Sequence, residues 1–209
     1  MEAISRRGLT LQLAGLGGAA FCVSTGAFAQ GGDILAIPNR PLQLVRAIEH
    51  VFFDGAFLSV FRSWQVEFVR VSRGINVLGK ATQVSVDASP SRLGLAAAER
   101  ERVTAGMWPI RLSATGLILT MGADQTGDTL TDSLALNTMP DDLFYPSLGP
   151  LTSDQTVMLP NGAVGEFTLR YEAKGAVGTG WLDRAERRVT TRIGETVESA
   201  FERWRLTDI

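Results

Sequence analysis

Residues Leu58 to Phe68 read LSVFRSWQVEF, and in that stretch Leu58, Val60, Trp64, Val66 and Phe68 fall on one phase of a two-residue period. Ser59, Ser63, Gln65 and Glu67 fall on the other. Successive side chains of a strand point to opposite faces, so the pattern specifies a β-strand with one buried and one wet face. Such a strand needs partners, and its flanks supply them. Pro41 to Phe53 reads as a strand, Asp54-Gly55 as the tight turn that reverses it, and Ser72-Arg73-Gly74 as the turn into a further strand, Ile75 to Val86.

After Pro90 the pattern changes. Ser91 to Val103 is rich in Ala, Arg and Glu, which predicts a helix of about 14 residues bounded by Gly106 and Pro109. A hairpin follows, Pro109 to Ser113 and Leu117 to Gly122, turning at Ala114-Thr115-Gly116. Asp128 to Asn137 reads either as a second helix closed by Pro140 or as an irregular loop. Strand signals then return over Gln155 to Leu159, Ala163 to Glu172 beyond the turn Pro160-Asn161-Gly162, Gly180 to Ile193, and Glu195 to Leu206. In the last of these Val197, Ser199 and Phe201 keep one phase while Trp204 and Leu206 take the other, and a β-bulge near Glu202-Arg203 would reconcile them. Strands in hairpin order without βαβ alternation predict a mainly β (α+β) fold. Its expected form is a curved antiparallel sheet or half-barrel of about eight strands, packing one or two helices.

The N-terminus reads as an address. Arg6 and Arg7 precede an apolar run from Leu9 to Val23, and Ala27-Phe28-Ala29 is a small-residue cleavage site. Ser5-Arg6-Arg7-Gly8-Leu9 resembles the twin-arginine export signal. Gly15, Gly17, Gly18 and Gln12 dilute the run too far for a spanning helix. The expected organisation is a cleaved signal over residues 1–29, with the twin-arginine machinery and signal peptidase as its partners. A single β domain over 30–209 follows, with its inserted helix near 91–105 and a periplasmic location.

Composition excludes several chemistries. The chain has a formal net charge of −2, whereas nucleic-acid binding calls for a clustered excess of Lys and Arg. Its one cysteine, Cys22, lies in the signal, so the domain has no thiolate for a disulfide or a metal site. Its one histidine, His50, sits in a strand between Glu49 and Val51 with no G-x-S-x-G elbow elsewhere, which reads as structural rather than catalytic. Asp124, Asp128 and Asp132 would share a helix face but lack the D-x-[DN]-x-[DN]-G calcium loop, and Asp141-Asp142 reads as a cap before Leu143-Phe144-Tyr145. No catalytic residue, metal site or cofactor is expected.

Phe52-Phe53-Asp54-Gly55-Ala56, Ser63-Trp64-Gln65-Val66-Glu67-Phe68, Met107-Trp108-Pro109-Ile110, Asp142-Leu143-Phe144-Tyr145-Pro146, and Arg188 to Gly194 with Glu202-Arg203-Trp204 carry a resemblance. In these stretches the chain resembles uncharacterised exported proteins of alphaproteobacteria of the sphingomonad type, and the resemblance implies no activity. In topology a half-barrel curled around helices is similar to the outer-membrane lipoprotein carriers, which implies a lipid or other hydrophobic ligand held in the concavity.

Two functions follow as expectations. The first is a non-enzymatic periplasmic binding protein whose apolar strand face, Leu58, Val60, Trp64, Val66 and Phe68, lines the ligand site. The second is a structural or accessory envelope protein that docks on a partner through its sheet edge or an arginine-rich face. The arginines Arg184, Arg187, Arg188, Arg192, Arg203 and Arg205 are interleaved with Glu186, Glu195, Glu198 and Glu202. They read as cross-strand ion pairs on a wet face, or else as an anion site centred on Arg188, Arg192, Arg203 and Arg205, because guanidinium binds phosphate and carboxylate bidentately. If the address is read and cut, N-terminal analysis of the periplasmic fraction gives a chain starting at or near Gln30; a full-length cytoplasmic protein would contradict it.

Overall fold

The computed structural model describes residues 35–122, 139–158 and 164–209. The stretch expected to be an export signal, with Arg6, Arg7, Cys22, Ala27 and Ala29, lies outside the described residues. So do Asp124, Asp128, Asp132, the segment 128–137 and the turn Pro160-Asn161-Gly162.

The first half of the chain is a meander of β1 (Leu42–Val51), β2 (Phe57–Val71) and β3 (Gly74–Ala88), then α1 (Leu93–Glu101) and the short hairpin of β4 (Ile110–Leu112) and β5 (Ile118–Met121). The second half is a meander of β6 (Leu151–Met158), β7 (Val164–Gly175), β8 (Leu182–Ile193) and β9 (Thr196–Asp208). Among the described residues these nine strands form one curved, unclosed antiparallel sheet in the order β5-β4-β3-β2-β1-β9-β8-β7-β6. The two halves meet where β1 pairs with β9, from Leu42 opposite Asp208 to Val51 opposite Ser199.

Local chemistry sets the turns. Gly55 takes the left-handed conformation (φ 76°) between β1 and β2, and its amide donates to the Phe52 carbonyl at 2.9 Å. The Ala56 amide donates to Asp54 Oδ1 at 3.1 Å, which holds that carboxyl below its ordinary range. On β2 the alternation is realised: Val60, Trp64, Val66 and Phe68 are buried on the inner face, and Leu58 is half-buried beside them.

A bulge does occur, but in β3. Ser63 pairs with Gln83 and Trp64 with Ala81, so Thr82 is the extra residue, and its hydroxyl meets Ser63 Oγ at 2.8 Å. The inner phase of β3 therefore passes from Ile75 and Val77 to Val84 and Val86. The bulge expected near Glu202-Arg203 is absent, since the register of β9 runs unbroken against both β1 and β8. Its buried phase is Ala200, Glu202, Trp204 and Leu206, and Val197, Ser199 and Phe201 lie on the outer face. A fully buried glutamate in the core phase is what disguised the alternation.

The helix is shorter than expected, nine residues preceded by a 3₁₀ turn at Pro90–Arg92. Arg102 leaves helical geometry (φ −58°, ψ 115°). At that point the buried Arg62 guanidinium donates to the carbonyl oxygens of Glu99 and Arg102, two of the groups that a helix end leaves without a partner.

Two clusters fill the inner face. The smaller places Ala96 of α1 on Val60 and Val86. The larger is closed by the segment 139–150, which crosses from β5 to β8: Ile118 N–H donates to the Asp141 carbonyl at 2.6 Å, and Leu182 N–H to the Phe144 carbonyl at 2.9 Å. Asp142 does not begin a helix. Its carboxylate accepts from the amides of Ser147 (3.2 Å) and Leu148 (3.1 Å) and from the Tyr171 hydroxyl (3.1 Å), fixing an irregular strap. Burial, reinforced by Asp142, pushes the Tyr171 phenol well above its ordinary value and keeps it a donor. Tyr145 fits between Gly116 and Gly180; a Cβ on Gly180 would lie 2.5 Å from the phenol oxygen.

The strap seats Phe144 edge-on to Phe68 (5.9 Å between centroids), and Trp181 tilts over the same ring at 4.6 Å. Phe68 is thus a core side chain. Truncation to Ala should cost about 3–5 kcal/mol in chemical denaturation; a loss below about 1 kcal/mol would mean that the ring faces a void rather than packed protein.

Candidate functional site

The inner face is not uniformly apolar. Glu202, with no exposed surface, lies between Arg46 of β1 and Arg187 of β8; it accepts from Arg46 Nε and from Arg187 Nε, the latter at 2.9 Å. The Trp204 ring lies under both guanidiniums, at 5.7 and 5.4 Å. Burial raises the Glu202 carboxyl and lowers the Arg187 guanidinium, and their mutual attraction opposes both changes. Nearby, His50 Nε2 meets Glu198 Oε1 at 2.7 Å, and its ring stacks on Phe52 at 4.1 Å. The residues opposite His50 on β1's two neighbours are Leu58 and Ala200, neither of them a nucleophile.

These partnerships redistribute the arginines of β8 and β9. Of the cross-strand ion pairs expected on a wet face, Arg187–Glu202 exists but is buried inside. Glu198 serves His50, Arg192 approaches Glu166 of β7 at 4.0 Å, and Arg203 reaches Glu49 of β1 at 2.5 Å. Arg188, Arg192, Arg203 and Arg205 share one exposed outer face, but Arg192, opposite Val197, stands far along the strands from Arg205, opposite Arg184, so the four are not gathered around one point.

Among the described residues, a concave feature with ligand dimensions lies elsewhere. Next to β3, a groove of about 550 Å³ runs between Gly79–Val84 and the segment 100–104. It forms because β4 pairs with β3 only over Ile75–Val77, and the inner positions beyond, Gly79 and Ala81, are small. Its floor is aromatic. The Trp108 ring takes the place of a side chain at Gly79 and meets Trp64 edge-on at 6.3 Å. Its rim is basic, with Arg100 and Arg102 at the end of α1, and Lys80 borders it from the edge of β3 on the phase opposite to Gly79 and Ala81.

Tethers hold the walls. Trp64 Nε1 donates to Thr104 Oγ1 at 3.1 Å, Arg62 bonds the end of α1, and Arg100 donates to the Val86 carbonyl at 2.9 Å. Glu99 neutralises part of the charge, reaching Arg102 at 2.7 Å and Arg62 at 3.3 Å. Of the five residues expected to line a ligand site, only Trp64 borders the groove; Val60, Val66 and Phe68 are packed in the two clusters, and Leu58 packs against the smaller one. Trp108 and the cationic rim were not anticipated. The signal for them was the cluster of Arg100 and Arg102 ahead of Met107-Trp108, opposite small residues in β3.

Among the described residues no three His, Cys, Asp or Glu side chains come together as metal ligands. No protein-family model matches the chain, and no curated protein matches it either.

Breaking the buried triad tests its part in stability. Glu202→Ala leaves the buried Arg187 and half-buried Arg46 guanidiniums without the carboxylate between them and should cost about 3–5 kcal/mol by urea denaturation. A change under about 1 kcal/mol would mean that water reaches the site.

Proposed function

We propose that the protein is a non-enzymatic binding protein for an amphiphilic anion, with an apolar body and a carboxylate or phosphate head, held in the groove beside β3. One observation carries the reading: an aromatic floor of Trp64 and Trp108 lies under a rim of Arg100 and Arg102, bordered by Lys80. Its volume falls within the range of about 300–1,000 Å³ usual for small-molecule sites. An apolar body gains by covering the half-buried Trp108 indole, which Trp64 backs from below, and charge-assisted hydrogen bonds to the rim fix the head. The middle of the inner face is packed by the strap, so the ligand expected there belongs in the groove. If residues 1–29 direct export, the periplasm is where such an amphiphile would be met.

The same groove follows an open sheet edge, since β3 beyond Val77 has no strand partner on that side among the described residues. Docking of a partner strand there is the weaker reading. Lys80, the bulge at Thr82 and the Arg100 bond to the Val86 carbonyl are devices that discourage strand addition.

Titration with a long-chain fatty acid should shift tryptophan emission with a Kd of about 1–10 μM. Ala81→Phe, which fills the groove, should abolish the shift, and Lys80→Ser with Arg102→Ser should weaken binding about tenfold with the circular dichroism unchanged. Absence of a response to fatty acids and lysophospholipids alike would refute the reading.

A further inference from the structure

The outer face of β7, β8 and β9 is arranged in a way that the fold itself does not need. In register across the three strands, Lys174 lies opposite Arg184 and Arg184 opposite Arg205, so three exposed cations stand in one row. Four residues along, Arg170 lies opposite Arg188. Like charges directly opposite one another destabilise a sheet. Glu172 and Glu186, in the row between, offset them only in part: Glu172 reaches Lys174 at 3.4 Å, and among the described residues Arg170, Arg184 and Arg205 have no carboxylate partner. Phe201, beside Arg188, lies between the guanidiniums of Arg188 and Arg203, at 5.1 and 5.2 Å.

The same face continues into an apolar strip at the end that carries the β1–β2 and β8–β9 turns. Val51 and Phe57 are directly opposite each other, and Val197 lies one row further out on β9, opposite Arg192. Their relative exposures are 43%, 41% and 40%. Cations spread along one sheet face that ends in a strip of exposed apolar side chains are the chemistry of a surface that meets anionic headgroups with its charges and the acyl boundary with its apolar groups.

We propose that this outer face docks on an anionic phospholipid bilayer. Arg184, Arg188 and Arg205 meet lipid phosphates, and Val51, Phe57 and Val197 enter the interface. Charge complementarity selects the occupant, because a bilayer is a broad anionic plane and the cations are spread over three strands rather than focused in a pocket. The inference does not depend on the groove, which opens at the other face of the sheet.

The test is co-sedimentation of the full chain with phosphatidylcholine vesicles, with or without about one-third phosphatidylglycerol, at about 0.1 M salt. Binding to the anionic vesicles alone is expected. Arg184→Ser with Arg205→Ser should weaken it about tenfold or more, and Val51→Ser with Val197→Ser should also weaken it. All four positions are exposed, so circular dichroism should be unchanged. Arg102→Ser, at the groove, should leave vesicle binding as it was. No binding to anionic vesicles, or binding that the outer-face variants leave intact, would overturn the proposal. So would loss caused by the groove variant alone. Release by inorganic phosphate beyond that caused by chloride at equal ionic strength would mark a single-anion site and equally overturn the bilayer assignment.

Discussion

The pairing of β1 with β9 makes one sheet out of two meanders. Without it, each half would expose a long central strand as an unpaired edge. The seam joins residues near opposite ends of the described chain, and its register is fixed by chemistry as well as by hydrogen bonds. Glu202 of β9 sits inside between Arg46 of β1 and Arg187 of β8. A slip of one residue would turn Glu202 outward and bring Phe201 or Arg203 in its place, leaving the two guanidiniums without it. A buried ion pair adds little net stability compared with apolar packing, but it penalises wrong registers heavily. Here it lies across the seam, where a register error would misplace half the molecule.

The sequence was legible where the alternation was clean. β2 could be read residue by residue because its inner phase holds Val60, Trp64, Val66 and Phe68, and the nine strands fall close to the stretches with strand signals. It misled where a charge occupies a buried position. Glu202 breaks the apolar phase of β9 and invited a bulge, while the real bulge in β3 is signalled only by the change from Ile75 and Val77 to Val84 and Val86. Arg62 likewise sits in the inner phase of β2, and its role at the end of α1 depends on a tertiary contact that no local pattern encodes. The arginines of β8 and β9 were close to their glutamates in sequence. Neighbours along a strand face opposite ways, however, so Arg187 went inside with Glu202 while Arg188 went outside to Phe201.

Ligand space in a curved sheet depends on what covers the inner face. A sheet curled around nothing would offer a concavity; this one is crossed by the strap at 139–150, whose Leu143 and Phe144 are fully buried. The strap needs Asp142 to gather its amides and two glycines to admit Tyr145. These requirements lie far apart in sequence, which is why Phe68 looked from its strand alone like a candidate for a ligand wall.

What space remains is set by where covering ends. The strap covers the sheet around Phe68 and α1 covers it around Val60, leaving between them the inner positions Gly79 and Ala81 of β3 and the arginine that divides the two clusters. Arg62 cannot be withdrawn to solvent without freeing the carbonyls at the end of α1, so the helix and the groove wall stand or fall together. The residues that shape the groove are therefore the ones that terminate the helix and tether its exit: Arg62, Trp64 through Thr104, and Arg100 through Val86. Lys80 and Arg102 carry none of that work on the rim, since Lys80 has no ion-pair partner among the described residues and Arg102 pairs only with Glu99 of its own segment. On the proposed reading, structure and recognition rest on different side chains within one site. Changes at the rim would then alter the headgroup accepted without disturbing the scaffold, whereas a change at Arg62 would alter the helix end and the groove wall together.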